Sequence, residues 1–407
     1  MTLAIAPDLD TCAFAIEGLC FEPTLTTALD DSDGWFSRKI SSSDGPLISD
    51  FVTHEAGFSY ATYGIHVGQD DRLTFMGDTD VDIVGHFVDC RTDSPTCGVQ
   101  VSVQFAASPI RKLVIPRGVA HSFDNLERVV TRDEPVWYSD HDNPSWNIDN
   151  DLVSFSRSTP PERAPTIRPN RYRLNGEAHR FMSRLSQSLL ENPIAYLNRI
   201  RVQLGQQAAY VVLEPKTWLD DDREIQAQLV QTVDMRGVEL RKNRYALTGQ
   251  RSWTLVPNTE SCVADILELR PSRRSDMLFC HARTKKLYTF MNAEGAPVRI
   301  TLLDARAGSD TEGRLEHVQL SADPRICVVI PNGVAYRIDT EAPLLVRCEH
   351  VVFVDEAEPR NDIPMFGEDL LCRTHAEVDA GWRVSIPTVE CPPIVVYELA
   401  RVESIAS

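Results

Sequence analysis

The sequence predicts an all-β protein made of two similar barrels of short strands, joined by a partly helical connector. Three observations carry that expectation: an ungapped internal repeat, short runs that alternate apolar and polar residues, and one stretch of helical periodicity between the two copies.

The repeat comes first, because a missed repeat misreads the whole fold. Residues from His66 to Asp124 match those from His281 to Asp339 at a constant offset of 215 (281 − 66). That shift carries Thr74-Phe75-Met76 onto Thr289-Phe290-Met291, Asp89 onto Asp304, Arg91 onto Arg306, Ser94 onto Ser309, Gly98 onto Gly313 and Gln104 onto Gln319. It also lays Ile115-Pro116-Arg117-Gly118-Val119-Ala120-His121 on Ile330-Pro331-Asn332-Gly333-Val334-Ala335-Tyr336.

Within each copy the pattern is that of strands. Val99-Gln100-Val101-Ser102-Val103-Gln104-Phe105 alternates with period two, and Lys112-Leu113-Val114-Ile115-Pro116 is short and β-branched. Turns rich in Gly, Pro, Asp and Asn separate such runs, as in a sandwich or barrel of many short strands. The interior of a barrel of this kind is a concave pocket, so inward-pointing polar residues are the candidates for function.

The connector has a different texture. Pro160-Pro161 and Pro165 mark the exit from the first barrel, and Gly176 to Asn198 reads as helix with Phe181, Met182, Leu185, Leu189 and Leu190 on one face. Asn192-Pro193 suits the cap and first position of a second helix. Tyr210-Val211-Val212-Leu213 and the segment from Glu224 to Val233 read as returning strands. The expected domains are residues 1–160, a connector over 161–235, and 236–407.

A chain of 407 residues, 43% of them apolar, is long enough for two cores. Its net charge of -18 argues against nucleic acid and anionic membrane as partners. Met1 to Cys20 holds no Lys or Arg, and no apolar run approaches the roughly 18 residues of a spanning helix. The ten cysteines form no CxxC pair and no cysteine–histidine cluster at zinc spacing, which suits a reducing compartment. The expectation is a cytoplasmic protein with a small-molecule substrate.

Three stretches of the first copy carry a family resemblance. They are Asp31-Ser32-Asp33-Gly34-Trp35-Phe36, Tyr63-Gly64-Ile65-His66, and Val88-Asp89-Cys90-Arg91 through Ser94-Pro95-Thr96 to Ile115-Pro116-Arg117-Gly118-Val119-Ala120-His121-Ser122-Phe123. In these the chain resembles the dTDP-4-dehydrorhamnose 3,5-epimerases, cupin enzymes that isomerise sugar nucleotides without a metal. The resemblance implies two cupin, or jelly-roll, barrels in one chain, an intramolecular pseudo-dimer compatible with further homo-oligomers. It implies neither cofactor nor metal.

By the same resemblance His66 is the base that takes a proton from the carbon beside a ketone. Arg72 stands where the family has an enolate-stabilising lysine. Tyr138 is the candidate for the acid on the opposite face, in a run where a slip of one residue turns a side chain away. His121 either lines the pocket or is a core histidine bonded to a neighbouring strand. Tyr63 and His281 complete the candidate substrate-binding set.

Departures from the family are informative. Asp33 and Tyr63 occupy the places of two arginines that grip the nucleotide diphosphate, which loosens the link to a nucleotide. The aspartate that orients the base has no match between Leu152 and Gly176, leaving Asp142 or Asp149 as substitutes. In the second copy Leu287 replaces the cation with Lys286 beside it, Tyr336 replaces His121, and Phe353 stands opposite Tyr138, so that barrel reads as structural. The leading expectation is a metal-independent epimerase acting by proton abstraction α to a carbonyl. The alternatives are a ligand-binding bicupin without chemistry, and a metal-dependent oxygenase or decarboxylase, which the absence of any H-x-H pair disfavours.

Overall fold

A computed structural model describes residues 3–5, 12–30, 35–41, 50–54, 57–175, 178, 200–204, 207–211, 233–243, 245–249, 252–255, 264–269, 271, 276–291, 295–354 and 370–390. The helices expected over 176–198 and the strand expected over 224–233 fall almost wholly outside those residues. Of the Tyr210–Leu213 run, residues 210 and 211 end the strand Gln207–Val211.

The chain divides into two compact units. Unit 1 comprises Met1–Thr26, Ser41–Leu219 and Tyr245–Val256, and unit 2 comprises Thr27–Ile40, Asp220–Arg244 and Pro257–Ser407. Neither is one continuous stretch. In unit 1, Ser252–Leu255 pairs with Asp50–His54, matching Thr254 to Val52. In unit 2, Trp35–Ser41 pairs with Ala264–Leu269, matching Ser37 to Leu267. Each added strand covers a backbone edge that would otherwise be open for pairing.

Unit 1 is built from two sheets. One runs Leu3–Ile5, Gln100–Ala106, Asp82–Asp89, Val119–Asp124, Thr62–His66 and Leu152–Ser156 in spatial order. The other carries Cys20–Pro23, Arg111–Ile115, Gln69–Gly77, Val129–Asp133 and Asp50–His54. Alternation sets the inner face: Leu73 and Phe75 from one sheet join Ile83, Phe87, Val103, Val119 and Phe123 from the other in one buried cluster. Burying each such side chain contributes about 1.5–3 kcal/mol.

Unit 2 repeats the plan. Thr284–Phe290, Ile326–Ile330 and Leu344–Val354 lie in one sheet, and Met277–His281, Pro297–Asp304 and Val334–Thr340 in the other. Tyr288, Phe290, Ile300, Leu302, Val334, Val346 and Cys348 share its core.

The repeat persists bond for bond. Asp89 accepts from Arg91 Nε and Nη2 at 2.8 Å each, and from Ser94 Oγ and Thr96 Oγ1 at 2.6 Å each. Asp304 accepts from Arg306 Nε and Nη2 at 2.8 and 2.7 Å, from Ser309 Oγ at 2.7 Å and from Thr311 Oγ1 at 2.5 Å. The same two arginines explain a glycine in each copy. Gly118 and Gly333 have φ of 82° and 78°, and a Cβ there would meet the Arg91 and Arg306 side chains at 2.4 and 2.6 Å. Among the described residues no helix is long and apolar enough to cross a membrane.

Candidate functional site

The site of unit 1 forms where the chain passes from one sheet to the other. Thr62–His66 ends at His66, Val67 and Gly68 make the connection, and Gln69–Gly77 begins the facing sheet. Tyr63 and Ile65 belong to a satellite cluster with Val88, Cys90 and Ala120, so Gly64 and His66 take the other, inner face. On the next strand Leu73 and Phe75 are core residues, and alternation gives Asp71 their face. Val119 and Phe123 do the same for His121. His66, Asp71 and His121 therefore converge from three strands.

The distances bear this out. Asp71 Oδ2 lies 3.7 Å from His66 Nε2 and 3.3 Å from His121 Nε2. The two imidazoles stack with centroids 5.8 Å apart and planes 22° from parallel. Gln69 Nε2 donates to the other oxygen of Asp71 at 2.6 Å, and His121 Nδ1 meets the Val119 carbonyl at 3.3 Å.

Behind His66 stands Asp151, which is buried. His66 Nδ1 donates to its Oδ2 at 2.7 Å. Its Oδ1 accepts from the Gly68 backbone at 2.6 Å and from the Trp146 indole at 2.7 Å. Asp151 directly precedes Leu152–Ser156, which pairs with Thr62–His66 and matches Leu152 to His66. That ladder brings a residue 85 positions away onto the histidine ring.

The charges set the two histidines apart. Burial pulls the His66 imidazole down, but Asp71, the hydrogen bond to Asp151 and the charge of Asp151 outweigh it and raise its pKa to about 9. His121 is lowered, by burial and by its neighbour His66, against the pull of Asp71.

The other residues proposed from sequence lie elsewhere. Arg72 is one position from Asp71, so its side chain leaves the opposite face of the strand, away from His66. Tyr138 shares that outer side: the Arg117 guanidinium lies 3.5 Å from its ring centroid, and burial together with Asp70 raises its pKa. Its neighbour Trp137 is the buried one, 6.4 Å from Trp146. Tyr63 stacks on Phe155 at 5.1 Å, in the satellite cluster. Sequence reasoning thus placed His66 and His121 together, put Arg72, Tyr138 and Tyr63 on the wrong faces, and missed Asp71 and Asp151. Asp142 faces Arg171 and Arg168 rather than His66. The Asp149 side chain and Asp33 lie outside the described residues.

His281 belongs to unit 2, where it stacks on Tyr336 with centroids 6.2 Å apart. The same alternation puts Lys286 and Tyr288 on the inner face and Leu287 on the outer one, with Cys327 and Val329. Lys286 Nζ donates to His350 Nδ1 at 2.6 Å. The hydroxyls of Tyr288 and Tyr336 are hydrogen-bonded to each other. Burial, with Cys348 and Tyr336 close by, pushes the Tyr288 phenol well above its usual range.

Residues 27–144 match the family model for dTDP-4-dehydrorhamnose 3,5-epimerase. The matched stretch resembles that family, and the chain has a duplicated fold of the cupin type. Among solved structures, this bicupin is similar to the dTDP-6-deoxy-D-glucose-3,5-epimerase of Legionella pneumophila in complex with dTDP-4-keto-L-rhamnose. That likeness is 18% identity over 40% of this chain and 86% of the other, with a TM-score of 0.28. It is also similar to the dTDP-4-dehydrorhamnose 3,5-epimerase of Bacillus anthracis with TDP and PPi bound, at 17% identity over 42% of this chain and 95% of the other, TM-score 0.29. The oxalate decarboxylase of Lactobacillus farciminis, as its formate complex, matches 83% of this chain and 87% of its own at 10% identity and a TM-score of 0.22. No curated protein matches the sequence. The family match supports a sugar-epimerase kind of activity.

Proposed function

We propose that the bicupin is an isomerase that moves a proton at a carbon α to the carbonyl of a sugar-derived substrate, in the first barrel. The observation that carries this reading is the 2.7 Å hydrogen bond from His66 Nδ1 to the buried Asp151. With Nδ1 held there, Nε2 is left facing the interior beside His121, and a fixed imidazole is the group such a transfer requires.

In the reaction the C–H proton passes to one imidazole while the electron pair of the bond moves onto the carbonyl oxygen as an enolate. Return of a proton to the same carbon from its other face inverts the centre. His66 or His121 takes the proton, and Asp151 is a positioning residue that fixes the tautomer and orientation of His66. The two arginine positions by which the family grips a diphosphate hold Asp33 and Tyr63, so the keto sugar itself, rather than a diphosphate, is the part the site reads.

The test is proton exchange. Incubated in deuterated buffer with 4-keto-6-deoxy sugars, free and nucleotide-linked, the full chain should exchange a C–H beside the carbonyl, read by NMR. His66→Gln should lower the rate at least about 100-fold. A His66→Gln protein that is folded and exchanges as fast as the wild type overturns the reading.

A further inference from the structure

Three donor atoms of the first barrel converge on one point. His66 Nε2, Asp71 Oδ2 and His121 Nε2 all lie within 4.8 Å of one another. Their separations of 3.7 and 3.3 Å across Asp71 are those of ligands to one ion. At about 2.1 Å from each donor, an ion would see those pairs roughly 124° and 104° apart, on either side of the trigonal and tetrahedral angles.

The outer atom of every one of these groups is already fixed. His66 Nδ1 is held by Asp151 at 2.7 Å, His121 Nδ1 by the Val119 carbonyl at 3.3 Å, and Asp71 Oδ1 by Gln69 at 2.6 Å. Carboxylate–histidine and carbonyl–histidine pairs of this kind orient metal-binding imidazoles and leave the facing nitrogen free to coordinate. Charge points the same way. Asp71 and Asp151 are each only 3% exposed as side chains, and among the described residues their ion pairs run only to the two histidines. Two buried carboxylates call for positive charge beside them, and a divalent ion that takes the place of a proton on His66 Nε2 supplies it.

The geometry points to a divalent transition-metal site in the first barrel, made by His66 Nε2, Asp71 Oδ2 and His121 Nε2. Two imidazoles and one carboxylate favour iron(II), cobalt(II), manganese(II) or zinc over magnesium or calcium. Three protein ligands leave coordination positions open to water or to a substrate oxygen, and the imidazole side chains are 20% and 15% exposed, which gives solvent a route in. The absence of an H-x-H pair is no obstacle, because the second histidine arrives from Val119–Asp124. The inference does not rest on the isomerase reading. An ion on His66 Nε2 takes the atom that proton transfer would use and offers a Lewis acid to a carbonyl oxygen in its place. The repeat supplies an internal contrast, since the matching positions of the second barrel are Lys286 and Tyr336.

The test uses the full chain, with any affinity tag removed, stripped by chelation and then titrated with cobalt(II). Uptake is read by metal analysis after gel filtration and by the visible d–d bands of the bound ion. One tight ion per chain is expected, with His66 and His121 ring protons shifted by the paramagnetic centre in the wild-type protein. Asp71→Asn and His121→Gln should each weaken binding about 100-fold or more. His141→Ala, in the exposed Asp140-His141-Asp142 cluster, should leave the tight site unchanged. No retained cobalt, or retained cobalt that neither shifts those ring protons nor responds to Asp71→Asn, overturns the proposal. Failure of proton exchange in the metal-free chain, with cobalt still bound tightly at the triad on titration, would sink the isomerase reading and leave the metal site standing.

Discussion

Replacing Asp151 by asparagine separates orientation from bulk, because the two side chains have nearly the same shape. Oδ1 of Asp151 accepts from both Gly68 N and Trp146 Nε1, at 2.6 and 2.7 Å, while Oδ2 accepts only from His66. The substituted amide keeps two of these three bonds by putting its oxygen on Gly68 and Trp146, which turns its NH₂ toward His66 Nδ1. That nitrogen must then accept, so the ring proton moves to Nε2. A charge-assisted bond is worth about 1.5–3 kcal/mol, so the ring should release its Nδ1 proton roughly 10- to 100-fold more readily. Proton exchange and cobalt affinity should both fall by about 10- to 100-fold, as they do when the partner behind a working histidine is lost. Nitrogen-15 NMR of the histidine ring at about pH 10, where the ring is mostly neutral in both proteins, reads the effect without any substrate: the remaining proton is on Nδ1 in the wild type and on Nε2 in Asp151→Asn. A variant in which Nδ1 keeps its proton, with wild-type exchange and affinity, refutes the dyad.

Other consequences can be checked separately. Gly68→Ala would put a Cβ 2.6 Å from the Trp146 indole and 2.7 Å from the Tyr138 carbonyl, so it should cost about 1–3 kcal/mol in thermal melts and disturb the Nδ1 signal of His66. Arg72→Gln should leave proton exchange and cobalt affinity within about twofold, since its side chain leaves the other face of the strand; a loss near 100-fold would return Arg72 to the site. Asp89 and Asp304 have pKa values lowered to about 2, burial opposing and the hydrogen bonds from Arg91 or Arg306 and the neighbouring hydroxyls prevailing. A depressed folded-state pKa gives stability that is complete above about pH 4 and lost as pH falls through 2, about 2 kcal/mol for each group. Thermal melts between pH 5 and 2 should therefore be less steep in pH for Asp89→Asn and Asp304→Asn, and equal slopes in all three proteins would contradict the clamp.

The architecture was legible because its signals are local and repeated. Alternation with period two marks each strand wherever it lies, and a constant offset marks the second copy without reference to contacts. The site was harder, since it depends on which face each strand presents and which strands pair at long range. Arg72 looked right by resemblance alone, yet Leu73 and Phe75 share one face with Asp71. The repeat agrees, aligning Asp71 with Lys286, Leu73 with Tyr288 and Phe75 with Phe290. Tyr138 failed by the same single residue, beside the buried Trp137. Asp151 carried no local signal at all. It sits one residue before the window in which an orienting aspartate was sought, and only the ladder between Leu152–Ser156 and Thr62–His66 reveals its partner.

The inner position after the connecting turn also tells how the copies have diverged. In the first barrel it is Asp71, faced by two histidines, and in the second Lys286, which donates to His350. A buried carboxylate among imidazoles gathers positive charge, as protons or as a metal ion. A buried ammonium donating to an imidazole nitrogen cannot accept a cation at the same place. The reversed charge at this inner position, together with Tyr336 in place of His121, sets two barrels of common plan apart. The shared Asp89 and Asp304 clamps, which lie away from these positions in sequence and bond alike in both copies, mark what the fold itself requires.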